Sequence, residues 1–477
     1  MVLRGVATGR LTVVLVVVVA SCLGCEGRGC HDNERRALLE INKVLQPLES
    51  LAHVILGTGH VVELQLLIFY HWRDVEGTWH PNLTMLAEFG QLESLNLRDN
   101  QIGGGIPEAI CHLKLLKTLD LSDNKFDGSI PSCLCTLTSL RELDLSSNNL
   151  EDVPIDAEMP SLDSLIVHNN NFTGLLLPRL AKCSGLRIID AGYNSLTYNF
   201  SQTLPYFPNI VVLSLRMNHI HGYLPKQLCE MQHLRLLDLS GNNLSGKILP
   251  CLHNISSWRS KILDWDASAS YSSVTYYFGW KYAIQSDSSL SLKSKNSIRQ
   301  YNGEPLQWMT HLDLSMNMIS GIIPQEIGEL QGLQSLDLSK NHIQGSLPKS
   351  MADMDNLESL DLSHNGFSGS IPNEMAQLTF LETFSVAFNN MTGMIPNGIQ
   401  FRSFNESSFE GNPGLCGLPL QKECSSDNER TKGITTTGDG GRSKDYKNAL
   451  FFVIVTTSFT LGFWGFLLVC FSIKVGG

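Results

Sequence analysis

Apolar residues recur with a fixed period between Met309 and Pro396. Four stretches of 24 residues, opening at Met309, Leu333, Leu357 and Leu381, share the order L-x-x-L-x-L-x-x-N-x-L-x-G-x-I-P with small departures. The clearest runs from Leu357 to Pro372. In it Leu360 and Leu362 alternate with polar neighbours, which predicts a short strand with both leucines turned inward. Asn365 follows where the chain must turn. Its amide both donates and accepts, so it can satisfy backbone groups that the turn leaves open. Ile371 and Leu378 are expected to fill the far side. One such coil cannot bury its apolar face alone, whereas stacked coils share a continuous core, so the pattern predicts a solenoid. Seven further coils open at Leu92, Leu116, Leu140, Leu162, Leu186, Ile210 and Leu234, all 24 residues apart except the step of 22 from Leu140 to Leu162. A degenerate coil precedes them, from Val61 to Gln91. Eleven well-formed coils imply one concave sheet about 50 Å long.

The Gly-x-Ile-Pro segment after the Asn resembles the plant-specific subclass of leucine-rich repeats. Over most of residues 92–424 the chain resembles the plant leucine-rich-repeat receptor-like proteins. That resemblance implies an α/β solenoid with caps, one membrane span and no kinase. It also implies an extracellular peptide or protein ligand, and signalling through adaptor and co-receptor kinases in defence or development.

The flanking segments fit this outline. Arg4 and Arg10 precede the apolar run Leu11–Ala20, so residues 1–28 read as a secretory signal. Val19-Ala-Ser-Cys22 also fits a bacterial lipoprotein box, which the plant-like remainder does not favour. Residues 29–58, with Glu34-Arg-Arg-Ala-Leu-Leu39, resemble the family's N-terminal cap. The Trp- and Cys-containing part of that cap is missing, which leaves Cys30 without its implied partner. Repeats occupy 59–255 and 306–400. Between them, residues 256–305 break the period and hold thirteen serines and nine aromatics. This insertion resembles the island domain of plant receptors; a loosely packed variable insertion is the alternative. Residues 401–424 resemble the family's C-terminal cap, and 425–447, rich in Thr, Gly and charge, read as a stalk. Residues 448–473 read as a membrane helix, since Ala449–Ile473 are 25 residues without a charge, enough to span about 37 Å. Residues 474–477 form the tail. The expected placement is the plasma membrane, single-pass, with the repeats outside. More Lys and Arg flank the stalk end than the tail, against the usual bias, but a long translocated domain is little affected by flanking charge.

A net charge of −11 disfavours a nucleic-acid partner. Cys111 and Cys133 stand 22 residues apart, as do Cys229 and Cys251, in matching contexts, and both pairs are expected to be disulfides. Cys135 is a rival partner for Cys111. The resemblance of the cap implies a third bond, Cys416–Cys424, which leaves Cys30, Cys135 and Cys183 over. Seven N-x-Ser/Thr sequons, at Asn82, Asn171, Asn199, Asn243, Asn254, Asn390 and Asn405, agree with a secretory route. No catalytic constellation, cofactor motif or metal site stands out. His219-Ile-His221 has metal-like spacing but falls at variable convex positions.

Ligand contact is expected on the concave face of the middle coils. Elsewhere its solvent-facing strand positions repeat Asp and Ser, as at Asp120, Asp144, Asp238, Asp337 and Asp361. Coils four to six carry His168, Tyr193, Arg216 and Met217 instead. Exposed aromatic and Arg side chains are typical binding hot spots. The aromatics of the insertion, with Trp265, Tyr276, Tyr277 and Trp280 as candidates, need a core or a partner to cover them. In the membrane segment Ser458, Gly462 and Gly465 lie on one helix face, a small-residue stripe suited to helix pairing. Two other functions fit the repeats: an inhibitor of a secreted microbial wall-degrading enzyme, resembling polygalacturonase-inhibiting proteins, and a truncated paralogue without signalling output.

Overall fold

The structure is a computed structural model that describes residues 31–45, 50–57, 60–68, 80–153, 158–259, 289–294, 297–302 and 309–424. The proposed signal, stalk, membrane helix and tail lie outside these residues. So do Cys30, Trp265, Tyr276, Tyr277, Trp280, Ser458, Gly462 and Gly465. Among the described residues no helix is long and apolar enough to cross a membrane.

Each Leu-x-Leu alternation forms a three-residue strand, from Ser94–Asn96 in coil one to Thr383–Ser385 in coil eleven. They stack in parallel and in register, Leu336 opposite Leu360 and Leu360 opposite Phe384. The alternating leucines, Leu360 and Leu362 among them, are fully buried. Ile371 and Leu378 are buried on the far side, as the pattern requires. The sheet has thirteen strands rather than eleven, because a hairpin precedes coil one. Helix α1 (Asp32–Leu45) leads to strand β1 (Ser50–Gly57), which turns back antiparallel onto β2 (His60–Ile68). Strand β2 then pairs in parallel with coil one. The segment ahead of the repeats thus ends in a strand against the first repeat. Buried Glu34 ties α1 to this hairpin, accepting from the Val61 N–H at 3.2 Å.

The Asn positions form a continuous ladder. Asn341 accepts from the Ile319 N–H at 2.9 Å and donates to the carbonyls of Leu314, Leu338 and Ser339. The same set recurs from coil to coil and crosses the insertion: Asn317 reaches the Leu239 carbonyl at 2.9 Å, 78 residues away in sequence. Coils seven and eight pair directly, Leu237 against Leu312. Sheet and ladder therefore continue from coil seven to coil eight without interruption. The insertion also begins later than its sequence suggested. Ser256–Arg259 is a helical turn, and Trp258 is fully buried with its indole N–H donating to the Arg235 carbonyl at 2.9 Å. Trp258 stands 24 residues after Leu234, so it is a core residue in the place of a coil-opening leucine rather than one of the insertion's aromatics.

A feature the leucine alternation did not predict is a second sheet on the Gly-x-Ile-Pro side. It has three strands in coils one to three and seven from His221–Tyr223 to Gly414–Cys416. Across coils four and five it thins to the isolated bridges Thr173–Ser195 and Asn199–His221, and short helices Leu176–Arg179 and Phe200–Thr203 replace the usual 3-10 turns. In coil five Tyr198 occupies the place that Gly222 and Gly246 fill at positive φ in the next two coils, and its ring is buried in the core. Three disulfides join Cys111 to Cys133, Cys229 to Cys251 and Cys416 to Cys424. Cys135 takes no part in a disulfide, so it does not displace Cys133 as the partner of Cys111.

Candidate functional site

The outward face of the long sheet is built from columns of equivalent residues. The Asp column was expected to face solvent, and it does not: Asp120, Asp238, Asp313 and Asp337 are buried, Asp144 and Asp361 half-buried. Each turns back on its own coil. Asp337 accepts from the Ser339 N–H at 2.9 Å and from its hydroxyl at 2.6 Å, and Asp120, Asp144 and Asp238 repeat this with Ser122, Ser146 and Ser240. A short acidic side chain that bonds the backbone two residues on stabilises a tight turn. The Asp-x-Ser repeat is therefore part of the scaffold.

The price is electrostatic, since in-register carboxylates lie on neighbouring strands. Burial, then the charge of Asp120, pushes the Asp144 carboxyl up to about 7. Burial, with Asp238 and Asp337 on either side, holds Asp313 well above the usual carboxylate range.

Coils four to six break these columns. His168 stands in the Ser column, and its Nδ1 lies 2.9 Å from an Asp190 carboxylate oxygen in the next coil. Burial pulls its pKa down, but Asp190, Asp144 and Asp123 outweigh that and leave it raised. Arg216 was expected to be exposed and is 7% exposed. Its guanidinium lies across coil five, donating to the Tyr193 hydroxyl at 2.8 Å with its carbon 4.9 Å from the Tyr193 ring centroid. On the other side its Nε is 3.9 Å from Asp238. Gly192 makes this path possible: a Cβ there would sit 2.7 Å from Arg216 Cγ. Tyr193 and Met217 are exposed, at 40% and 39%. They belong to a column held at positive φ in every coil, which also contains Asp123, Asn169, Met316, Lys340, His364 and Phe388.

Beside the Tyr193–Arg216 pair lies a strip that the sequence reading missed. Ile188, Val212 and Leu236, the first half-buried and the other two buried, occupy the strand position that elsewhere holds Glu142, His311 and the hydroxyl residues Ser94, Thr118, Ser164, Ser335, Ser359 and Thr383. With Val211 and Met309 they form an apolar cluster separate from the solenoid core. Reading this column alone would have revealed it, because three consecutive β-branched or aliphatic residues replace hydroxyls there. The strip ends at Met309, where the chain returns from the insertion.

His219 and His221 are both exposed, and no group of side chains suited to a metal occurs among the described residues. Of the seven sequon asparagines all but Asn199 are exposed; Asn199 is half-buried and accepts from the Ser201 hydroxyl at 2.7 Å.

Family models described as leucine-rich repeat match residues 90–150 and 331–391, and a second pair of matches covers 233–255 and 308–330. Receptor-like protein 56 of Arabidopsis thaliana is 44% identical over 310 residues, 61% of this chain and 32% of that protein. Putative receptor-like protein 8 of the same plant is 46% identical over 266 residues, 52% of this chain and 26% of that protein. The chain thus spans about a third or less of the length of these relatives. Among solved structures, the crystal structure of a TDR receptor aligns with a TM-score of 0.52 at 25% identity, over 66% of this chain and 46% of that one.

Proposed function

Because the chain belongs to the leucine-rich-repeat receptor-like proteins of plants, we propose that it is a cell-surface receptor that binds an extracellular peptide or protein. In this reading the outward face of coils four to seven is the ligand site, and partner receptor kinases carry the signal in defence or development. The observation that supports it most is the break in the repeat at coils four to seven, where Arg216 stands in the Ser column and reaches Tyr193, and Ile188, Val212 and Leu236 follow Ser164 at the first strand position. An aromatic–guanidinium pair is the composition of a binding hot spot. Here exposed Tyr193 and Met217 are the accessible groups, buried Arg216 holds Tyr193 in place, and ordering the pair in advance lowers the cost of association. His168 and Met217 flank it. The aromatics of residues 260–308, with Trp265, Tyr276, Tyr277 and Trp280, contribute from the insertion. Ser458, Gly462 and Gly465 pair the membrane helix with an adaptor kinase.

The test is a photo-cross-linking residue at position 193 or 217, compared with one at Asp99, in receptor displayed on plant cells. Capture of an extracellular peptide or protein at 193 and 217 but not at 99 supports the site. Equal capture at all three overturns it. Deletion of residues 260–303, which spares the buried Trp258, should remove capture while secretion persists. Ser458→Leu with Gly462→Leu should remove association with adaptor kinases at equal surface level.

A further inference from the structure

The two ends of the long sheet are finished differently. At the C-terminal end the strand Thr383–Ser385 is closed by the cap. The Val386 N–H donates to the Ser408 carbonyl at 2.8 Å, and the rings of Phe401, Phe404 and Phe409 pack on Phe384 at 5.1, 5.6 and 5.7 Å between centroids. At the N-terminal end the outermost strand is β1, hydrogen-bonded on one side to β2 and, among the described residues, to no strand on the other. Its eight residues, SLAHVILG, contain no Asp, Glu, Lys, Arg or Pro. Those are the residues by which sheet edges are normally guarded against pairing with another chain. The coil strands are three residues long, so among the described residues the sheet ends on one of its two longest strands, with no strand paired along its outer side.

From this edge we infer that β1 joins two copies of this chain, pairing antiparallel with the β1 of a second molecule across a twofold axis. A closed dimer requires a self-complementary patch, and β1 meets that condition in one way. Ala52, Val54 and Leu56 lie opposite Leu66, Leu64 and Val61 of β2, which are core residues, whereas Leu51, His53 and Ile55 hold the alternate register. Only an axis through a residue, His53 or Val54, keeps core positions opposite core positions and continues both layers across the seam. An axis between residues would set core positions against outward ones. The absence of charge in β1 removes like-charge repulsion from the self-pair. A seam of one strand pair buries less than a standard interface, so the dimer is reversible and forms where the chain is concentrated. The inference is independent of the ligand reading.

The test uses the full-length chain in detergent micelles across a concentration series. Sedimentation velocity should show a monomer–dimer equilibrium. Amide exchange of residues 50–57 should slow about tenfold from the lowest to the highest concentration while the coils stay unchanged. His53→Lys, a charge on the edge, should give a monomer at every concentration with an unchanged melting curve. If that variant is misfolded, the concentration dependence of exchange in the unaltered chain decides. A dimer that persists in a folded His53→Lys variant would place association elsewhere, in the membrane segment for instance. An unaltered chain that stays monomeric, or whose β1 amides are protected independently of concentration by residues 1–30, would equally overturn the inference.

Discussion

Coils nine and ten and coils four to six share one backbone plan but satisfy their polar groups in different directions. In coil nine Asp337 and Ser339 close on each other, and coil ten repeats the turn with Asp361 accepting from the Ser363 N–H. In coils four to six the partners lie in neighbouring coils: His168 with Asp190, Arg216 with Tyr193 and Asp238. The second sheet also thins to isolated bridges in this stretch. The first kind of coil is self-contained and presents a uniform surface. The second trades local closure for side chains long enough to cross between coils, and that is where chemical variety enters. What both kinds keep is the Asn ladder, which shows which part of the repeat carries the fold and which part is free to change.

The largest expected effect tests that common element. Asn341→Ala and Asn194→Ala should each cost at least about 3 kcal/mol, since each leaves several buried backbone groups without partners. Equilibrium unfolding of the two variants checks this. A much smaller loss at Asn194 would mean that the lateral contacts, not the ladder, hold coils four to six. Next, Arg216→Met should cost about 2 kcal/mol, because it leaves Asp238 buried without its cation; the 3.9 Å separation keeps the loss below that of a close buried pair. Ser339→Ala, which removes one local hydrogen bond, should cost about 1 kcal/mol. Denaturation curves that reversed this order would dissolve the distinction between lateral and local closure.

The pH dependence has a definite sign. Asp144 titrates at about 7 in the folded chain against an ordinary value of 3.8. Between these values the folded chain holds a proton that the unfolded chain has released, so stability falls as pH rises through this window and is level above it. Asp313, also raised, acts in the same direction. His168, raised as well, contributes stability that is full at low pH and lost as pH climbs through its folded pKa. The melting temperature should therefore be several degrees higher at pH 5 than at pH 8. Asp144→Asn should flatten part of that slope. A melting temperature that rises with pH would remove this account of the Asp column. The smallest effect is expected at Gly192→Ala. Its Cβ would press on the flexible Arg216 stem, so stability should change by less than about 1 kcal/mol, while near-ultraviolet circular dichroism should report movement of Tyr193.

Much of the solenoid was legible because its causes are periodic. Leu360, Asn365 and Ile371 each do one thing in every coil, and repetition separates that signal from drift. The candidate site was only half legible. Tyr193 and Met217 are exposed as their departure from the repeat suggested. Arg216 is not, because the space that buries it comes from a missing side chain at Gly192 in another coil. Trp258 was misassigned for a similar reason: its partners are the Arg235 carbonyl and the Gly332 N–H, on either side of the insertion. The Asp column was misread because burial there depends on neighbouring coils rather than on its own. Relations between columns are read only when the coils are stacked, whereas relations within a coil are present in one line of sequence.

The column at positive φ has a further consequence. Its backbone angle, φ between 51° and 57° at Asp99, Asp123, Ser147, Asn169, Tyr193, Met217, Met316, Lys340, His364 and Phe388, is unfavourable for most side chains, and the Asn ladder and sheet impose it regardless of which one is present. The conformational penalty is therefore levied on the position, and exchanging one non-glycine residue for another there changes it little. Acidic, amide, aromatic, thioether and basic groups all occupy it in a single molecule. A lineage built on this scaffold can alter what its edge displays by single substitutions, in any coil, without first having to discover a new fold or repair an old one.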